Sequence, residues 1–188
     1  MPRITVSLIA ASLLLAAAPA TAPQGAYAGQ QSREIKALSA QETADLLAGR
    51  GMGLARAAEL NSYPGPMHVL ALRGPLDLSV AQLAAVQASF ERMQAAARPL
   101  GAELVEHERA LDGEFRGAAI TPGRMAVQTE TIGMLQGKLR AVHLGAHLEM
   151  RDLLTPDQVA RYDALRGYAG GDAVPGSAAP IGAGAHRH

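Results

Sequence analysis

Two long segments with helical periodicity, joined by one short turn, constrain the fold of this chain most. The first begins at Ser79, and its apolar residues recur at steps of three and four, namely Leu83, Val86, Phe90, Met93 and Ala97. The second runs from Gly123 to about Leu153, and its apolar stripe includes Val127, Met134, Leu139 and Ala146. Between them lies the turn "RGAAITPGR", in which Thr121 caps the second segment. The pattern predicts an all-α fold built on a long antiparallel helical hairpin.

Shorter helices are predicted on both sides of this hairpin. Ser39 and Glu42 have the spacing of a capping box, so a first helix should run from Ser39 to about Leu60. Three glycines interrupt its pattern, at Gly49, Gly51 and Gly53. The stretch "NSYPGP", residues 61–66, ends it, because its two prolines forbid a regular helix. Thr155 begins the last helix. A hairpin of this length cannot bury both of its faces alone, which predicts a homodimer.

The amino terminus has the layout of a cleavable signal peptide, which is predicted to cover residues 1–28. Arg3 precedes an uncharged apolar run, and small residues lead to a cleavage position after Ala28. Cleavage after Ala20 or Ala22 is an alternative. An uncleaved membrane anchor is disfavoured, because the apolar run falls short of the usual spanning length. The chain is therefore expected to be exported without stable insertion in the membrane.

The rest of the chain divides into three predicted parts. Residues 29–38 are expected to be flexible, and residues 39–168 should form one helical-hairpin domain. Residues 169–188 are rich in Gly, Ala and Pro and are predicted to form a disordered tail.

Composition excludes several classes of function. The chain of 188 residues has no cysteine, which rules out disulfides and thiolate metal sites. Its 17 basic and 17 acidic residues balance, so no long-range field favours nucleic acid or anionic lipid as a partner. The common hydrolytic and phosphate-binding signatures are also missing from the sequence. These observations predict a protein that is not an enzyme.

Two pentapeptides share the pattern Leu-[Ser/Thr]-x-x-Gln, and each opens a predicted helix. They are "LSVAQ", with Leu78, Ser79 and Gln82, and "LTPDQ", with Leu154, Thr155 and Gln158. The pair resembles the LTxxQ family of bacterial periplasmic proteins, which includes Spy/CpxP-like chaperones and stress modulators as well as heavy-metal resistance and metal-sensor proteins. The resemblance covers about Gly51 to Tyr168 and implies an all-helical, periplasmic, usually dimeric, cradle-like hairpin protein without a catalytic site. From the residues alone, the Ser, Thr and Gln positions are interpreted as helix caps and nothing more.

The stretch "VHLGAHLEM" carries the candidate metal ligands. His143 and His147 lie one helical turn apart, so both imidazoles face the same side. Antiparallel pairing sets residue numbers across the hairpin to sum to about 238, which places Glu91 opposite His147. His68 and Met150 are further candidate ligands. The donor set suits zinc, copper, nickel or cobalt. The alternative is a hydrogen-bonded or solvated surface pair of histidines.

Two functions follow from these patterns. The first is a metal-responsive, resistance or sensor protein, in which an ion changes the arrangement of the dimer and a membrane-bound signalling partner reads the change. The second is an ATP-independent periplasmic chaperone or envelope-stress modulator, which offers the cradle to unfolded client proteins through weak, adaptable contacts.

Overall fold

A computed structural model of the protein describes residues 25–169. Within that range the chain forms helices and no strand, which confirms the predicted all-α class. The helices are α1 (Ala40–Leu47), α2 (Arg56–Glu59), α3 (Pro66–Ala71), α4 (Val80–Arg116), α5 (Pro122–Leu153) and α6 (Pro156–Leu165). Over the same residues, no helix combines the length and the apolar character that crossing a bilayer requires. Most of the predicted signal peptide, and the tail from residue 170 onwards, lie outside the described residues.

The described chain belongs to two compact units that divide after Gln31. In the first, residues 25–31 form turns, with the Ala28 amide donating to the Gly25 carbonyl at 2.9 Å. The second, from Ser32 onwards, contains all of the helices. Ile35 is buried in its core, although residues 29–38 were predicted to be flexible. The packed region thus begins ahead of Ser39.

The predicted first helix is wrong in its length. Ser39 caps α1 with the expected capping box, but α1 ends at Leu47, and α2 begins only at Arg56. Between them, Gly49, Met52 and Gly53 have φ angles of 70°, 43° and 84°. These left-handed angles cannot be part of a right-handed helix, and they favour glycine. The glycines therefore end the helix rather than merely weakening it. Residues 49–53 are called the glycine loop below.

Helices α4 and α5 pack along each other and run in opposite directions. Arg92 pairs with Glu149 near one end, His107 bonds to Gln128 further along, and Glu114 pairs with Arg124 close to the turn. Buried residues between them and α1 form the larger core cluster, which includes Leu46, Ala97, Leu104, Val105, Leu135 and Leu139. Because α4 and α5 run in opposite directions, residues far apart in the sequence, such as Arg92 and Glu149, lie side by side.

Two residues of the predicted apolar stripe of α5 are not in the core. Val127 is 64% exposed and Met134 is 51% exposed, whereas Ile132, Leu135 and Leu139 are buried. The buried set lies at steps of three and four from Ile132, so it defines the face toward α4. Val127 and Met134 fall on a different face of the helix.

The end of α1 lies directly against α4. A Cβ atom placed on Gly101 would come within 2.1 Å of the Leu46 carbonyl oxygen, so only glycine allows this approach. Gly49 comes close as well, because a Cβ atom there would lie 3.3 Å from the Gln94 carbonyl oxygen. This contact places the glycine loop beside α4.

The two Leu-[Ser/Thr]-x-x-Gln motifs contact each other. Ser79 and Thr155 each form a complete capping box with the glutamine three residues later. The two glutamine side chains also bond reciprocally: Gln82 Nε2 donates to Gln158 Oε1 at 2.8 Å, and Gln158 Nε2 donates to Gln82 Oε1 at 3.1 Å. The interpretation of these residues as caps and nothing more was wrong. We call Gln82 and Gln158 the glutamine clamp.

Each clamp glutamine also bonds to a backbone carbonyl. Gln82 Nε2 donates to the Leu153 carbonyl at 3.0 Å, and Gln158 Nε2 donates to the Leu76 carbonyl at 3.2 Å. The clamp thus joins the starts of α4 and α6 to the end of α5 and to the loop before α4. Beneath it lies a second core cluster that includes Val69, Leu76, Val86, Met150, Leu154, Val159 and Tyr162. The motif leucine Leu154 is part of that cluster, and Leu78 packs against it.

Candidate functional site

A pocket of about 540 Å³ opens between the glycine loop, α2, α3, α4 and α5. Three imidazoles line it, together with two carboxylates and three thioethers, which belong to His68, His143, His147, Asp45, Glu59, Met52, Met67 and Met93. We call it the histidine pocket. Its donor groups come from six segments between residues 45 and 147, so only the tertiary fold assembles it.

His143 is buried in the wall of the pocket, with 3% of its surface exposed. The backbone of Gly51 covers one edge of its ring: a Cβ atom on that glycine would lie 3.3 Å from Nδ1. Its Nε2 is buried and has no hydrogen-bond partner in the protein. Burial lowers the pKa of His143, and the neighbouring His147 lowers it further. The ring is therefore neutral at neutral pH and keeps one nitrogen lone pair.

His147 lies one turn further along α5 and is also buried. Its Nδ1 is 2.7 Å from the Tyr63 carbonyl oxygen. A carbonyl only accepts, so Nδ1 is the donor and a neutral ring carries its lone pair on Nε2. The backbone of Gly65 lies against the other edge, where an added Cβ atom would be 2.9 Å from Cε1. The pair of histidines that the sequence placed on one helical face thus lies in the wall of one pocket.

Glu59, at the end of α2, is the carboxylate beside His147. Its Oε2 lies 3.8 Å from His147 Nδ1 and has no hydrogen-bond partner in the protein. Its Oε1 accepts from the Tyr162 hydroxyl at 2.6 Å, the Tyr168 hydroxyl at 3.2 Å and Arg166 Nε at 3.3 Å. Burial raises the pKa of Tyr162, and its bond to Glu59 raises it further, so the phenol remains a donor.

The sequence did not single out Glu59. It precedes the proline-containing stretch of residues 61–66, and no spacing relates it to His143 or His147. The nearest signal was its position just before that stretch, which carries the chain back over α5.

His68, on α3, lines the pocket as the sequence suggested. Burial lowers its pKa most, followed by the charge of Arg166; Glu59 acts in the opposite direction and His147 lowers it slightly. This side chain is half-buried, so it lies closer to solvent than the two histidines of α5.

Glu91 and Met150 lie outside the pocket. Glu91 is exposed and accepts a hydrogen bond from Gln87 Nε2 at 2.8 Å. Helix α4 faces the pocket through Phe90, Met93 and Gln94 instead. Glu91 follows Phe90 by one residue, which turns it about 100° round the helix. Met150 is fully buried in the second core cluster. The structure therefore does not bring these two candidate ligands to the histidines.

The donor groups share one pocket without forming a preassembled coordination sphere. Within residues 25–169, no three histidine or acidic side chains converge closely enough to hold an ion as they stand. Buried neutral imidazoles and a carboxylate oxygen are nevertheless the donors that transition metals use in proteins. The residues therefore fit a metal in kind, and binding requires side chains to move together.

No family model, no curated protein and no solved structure matches this chain. The assignment to the LTxxQ family therefore stays a prediction from the two pentapeptides.

Proposed function

We propose that the protein is an exported, non-catalytic, metal-responsive protein of the Spy/CpxP-like type, and that its ion binds in the histidine pocket. The observation that carries this proposal is the shared burial of His143 and His147 in one pocket wall, beside a carboxylate oxygen of Glu59 that has no protein partner. Glu59 takes the role that the sequence gave to Glu91.

The chemistry of the pocket supports this assignment. A neutral imidazole offers a lone pair without first losing a proton, and burial keeps His143 neutral. The carboxylate of Glu59 supplies negative charge next to the ring of His147. His68 lines the same pocket from α3, so its imidazole is a third nitrogen ligand for an ion held by α5. Zinc, copper, nickel and cobalt all accept such donors.

The proposed action is a change of population rather than a reaction. Helices α4 and α5 would form the hairpin of a cradle-like homodimer in the periplasm. An ion that draws α2, α3 and α5 together binds one arrangement of the dimer better than the other and shifts the equilibrium toward it. A membrane-bound signalling partner would read the difference.

Calorimetric titration of the exported chain with zinc, copper, nickel and cobalt tests this proposal. We expect one ion per chain, and an affinity that falls by about tenfold or more when His143→Ala and His147→Ala are combined. His107→Ala is the matched control, because His107 bonds to Gln128 on the far part of the α4–α5 pair and does not line the pocket. Unchanged binding in the double variant would remove the proposal.

A chaperone function is the second candidate, and an exposed apolar stripe favours it. Val127, Met134 and Leu148 are each more than half exposed, and they lie at spacings of seven and fourteen residues along α5. A surface of this kind suits either unfolded clients or the partner subunit of a dimer. Replacing Val127 and Met134 by serine should abolish any suppression of client aggregation if clients bind there. Failure of the unaltered protein to suppress aggregation at equimolar dimer would count against this function.

A further inference from the structure

We propose that the histidine pocket is selective for a soft monovalent cation, of the class of Cu(I) and Ag(I), which methionine thioethers bind together with His143 and His147. This inference rests on the proposed function, because it names the kind of ion that the same pocket takes. Neither the metal-ligand pattern of the sequence nor the spacing of the histidines indicates these methionines.

The first observation is where the methionines lie. Three of the seven in the chain line this one pocket, namely Met52, Met67 and Met93. Met52 is 43% exposed and Met67 is 53% exposed. Methionine is a residue that fills cores, as Met150 does here with no exposed surface. Met52 and Met67 are instead partly exposed in a pocket that three imidazoles line, which indicates that their sulfur atoms serve to bind an ion.

The second observation is the backbone that carries Met52. Its φ angle of 43° is left-handed, and glycines flank it on both sides. A side chain in this conformation is strained, and such strain persists mainly where function requires it. The preceding Gly51 lies against Nδ1 of His143. The strained loop therefore places Met52 in the lining of the same pocket as the most buried imidazole.

The third observation is that the same arrangement occurs a second time. Gly65 lies against the ring of His147, and Met67 follows it two residues later. Each histidine of α5 is thus covered by a glycine backbone, and each of those glycines is followed closely by a methionine that lines the pocket. Two imidazoles and two thioethers thus line one pocket, although the four residues come from three separate segments.

The softness of the ligands determines which ions the pocket binds best. Thioether sulfur and imidazole nitrogen favour Cu(I), whereas carboxylates, carbonyls and water favour harder ions. The chain contains no cysteine, so thioethers are its only soft sulfur ligands. Methionine side chains are flexible, and the exposed positions of Met52 and Met67 leave their sulfur atoms free to turn toward an ion.

Silver(I) is the probe for the test, because it has the same softness as Cu(I) and does not change oxidation state during the titration. We expect Met52→Leu combined with Met67→Leu to weaken Ag(I) binding by about tenfold or more and to weaken Zn(II) binding by a much smaller factor, because thioether sulfur is a poor ligand for harder ions. Leucine keeps the volume and apolar character of methionine and removes the sulfur. The matched control is Met125→Leu with Met134→Leu, which changes two methionines of similar exposure on α5 that do not line the pocket.

Magnetic resonance of isotope-labelled methionine methyl groups gives an independent readout. Ag(I) should shift the resonances of Met52, Met67 and Met93 and leave those of Met125 and Met134 in place. If Ag(I) affinity is the same in the Met52 and Met67 variant as in the unaltered protein, the inference is overturned. Divalent binding that still depends on His143 and His147 would then leave the proposed function standing. Loss of all histidine-dependent binding, of Ag(I) and divalent ions alike, would overturn both.

Discussion

Replacing Gln82 with alanine should destabilise the protein far more than its partly exposed position suggests. Its amide takes part in four hydrogen bonds: with the Ser79 amide, with the Leu153 carbonyl, and two with Gln158. A neutral hydrogen bond contributes about 0.5–1.5 kcal/mol net, and partial exposure places these bonds in the lower half of that range. We expect Gln82→Ala to lower the free energy of unfolding by about 2–4 kcal/mol.

A double-mutant cycle isolates the clamp itself. Gln158→Ala also removes four bonds, to the Thr155 amide, to the Leu76 carbonyl and the same two to Gln82. The double variant therefore loses six different bonds rather than eight. Its destabilisation should fall short of the sum of the single variants by the two shared bonds, which is about 1–2 kcal/mol of coupling.

Urea unfolding followed by circular dichroism measures these free energies, with protein concentration held constant because a dimer would add a dependence on it. Gln87→Ala is the control: Gln87 is exposed on the same helix and bonds only to Glu91, so its loss should stay within about 0.5 kcal/mol. Additivity of the two single variants within about 0.5 kcal/mol would refute the direct bond between the clamp glutamines.

Three further outcomes are expected. Gly101→Ala places a methyl group against the end of α1 and should lower the free energy of unfolding by about 1–3 kcal/mol. Its control is Gly113→Ala on the same helix, where the added methyl group meets nothing within 4 Å and should raise that free energy by up to about 1 kcal/mol. Equal urea midpoints for the two variants would contradict the close approach of α1 to Gly101. Burial holds the pKa of His143 below its usual 6.5, so the unfolded chain binds a proton that the folded chain does not. The metal-free protein should therefore lose stability as pH falls through about 6.5, and His143→Gln, but not His107→Gln, should flatten the slope of urea midpoint against pH. Pro99 is exposed inside α4. Pro99→Ala restores a backbone N–H of the helix, so it should raise the thermal midpoint and increase the free energy of unfolding by up to about 3 kcal/mol. A lower midpoint would show that the proline stabilises the fold.

The starts of the helices were predictable because a cap is a local feature. Ser79 and Thr155 bond to backbone amides three residues away, so five residues of sequence determine each start. The end of α1 depends on left-handed backbone angles at Gly49 and Gly53, and glycine permits these without requiring them. The contact between the two motifs was hidden for another reason: each pentapeptide satisfies its own helix, and nothing within it specifies the other.

The site was predictable on one helix only. His143 and His147 share a face at a spacing of four, which the sequence contains directly. The carboxylate of Glu59 beside these histidines was not predictable. The pairing of residue numbers across the two long helices considers only residues on α4, whereas Glu59 belongs to the four-residue helix α2, which is followed by the stretch of residues 61–66. Met150 was assigned to the site by spacing, but its face of α5 meets α3 and α6 residues in the second core cluster instead.

Glu59 lines the histidine pocket and also forms hydrogen bonds that hold α6 and the residues after it in place. One of its oxygens faces His147, and the other holds Tyr162, Arg166 and Tyr168. A rigid carboxylate cannot turn one oxygen without displacing the other. A rotation of the Glu59 carboxylate toward the cavity must therefore weaken its hydrogen bonds to Tyr162, Arg166 and Tyr168. One side-chain torsion thus couples the cavity to the packing of the last helix.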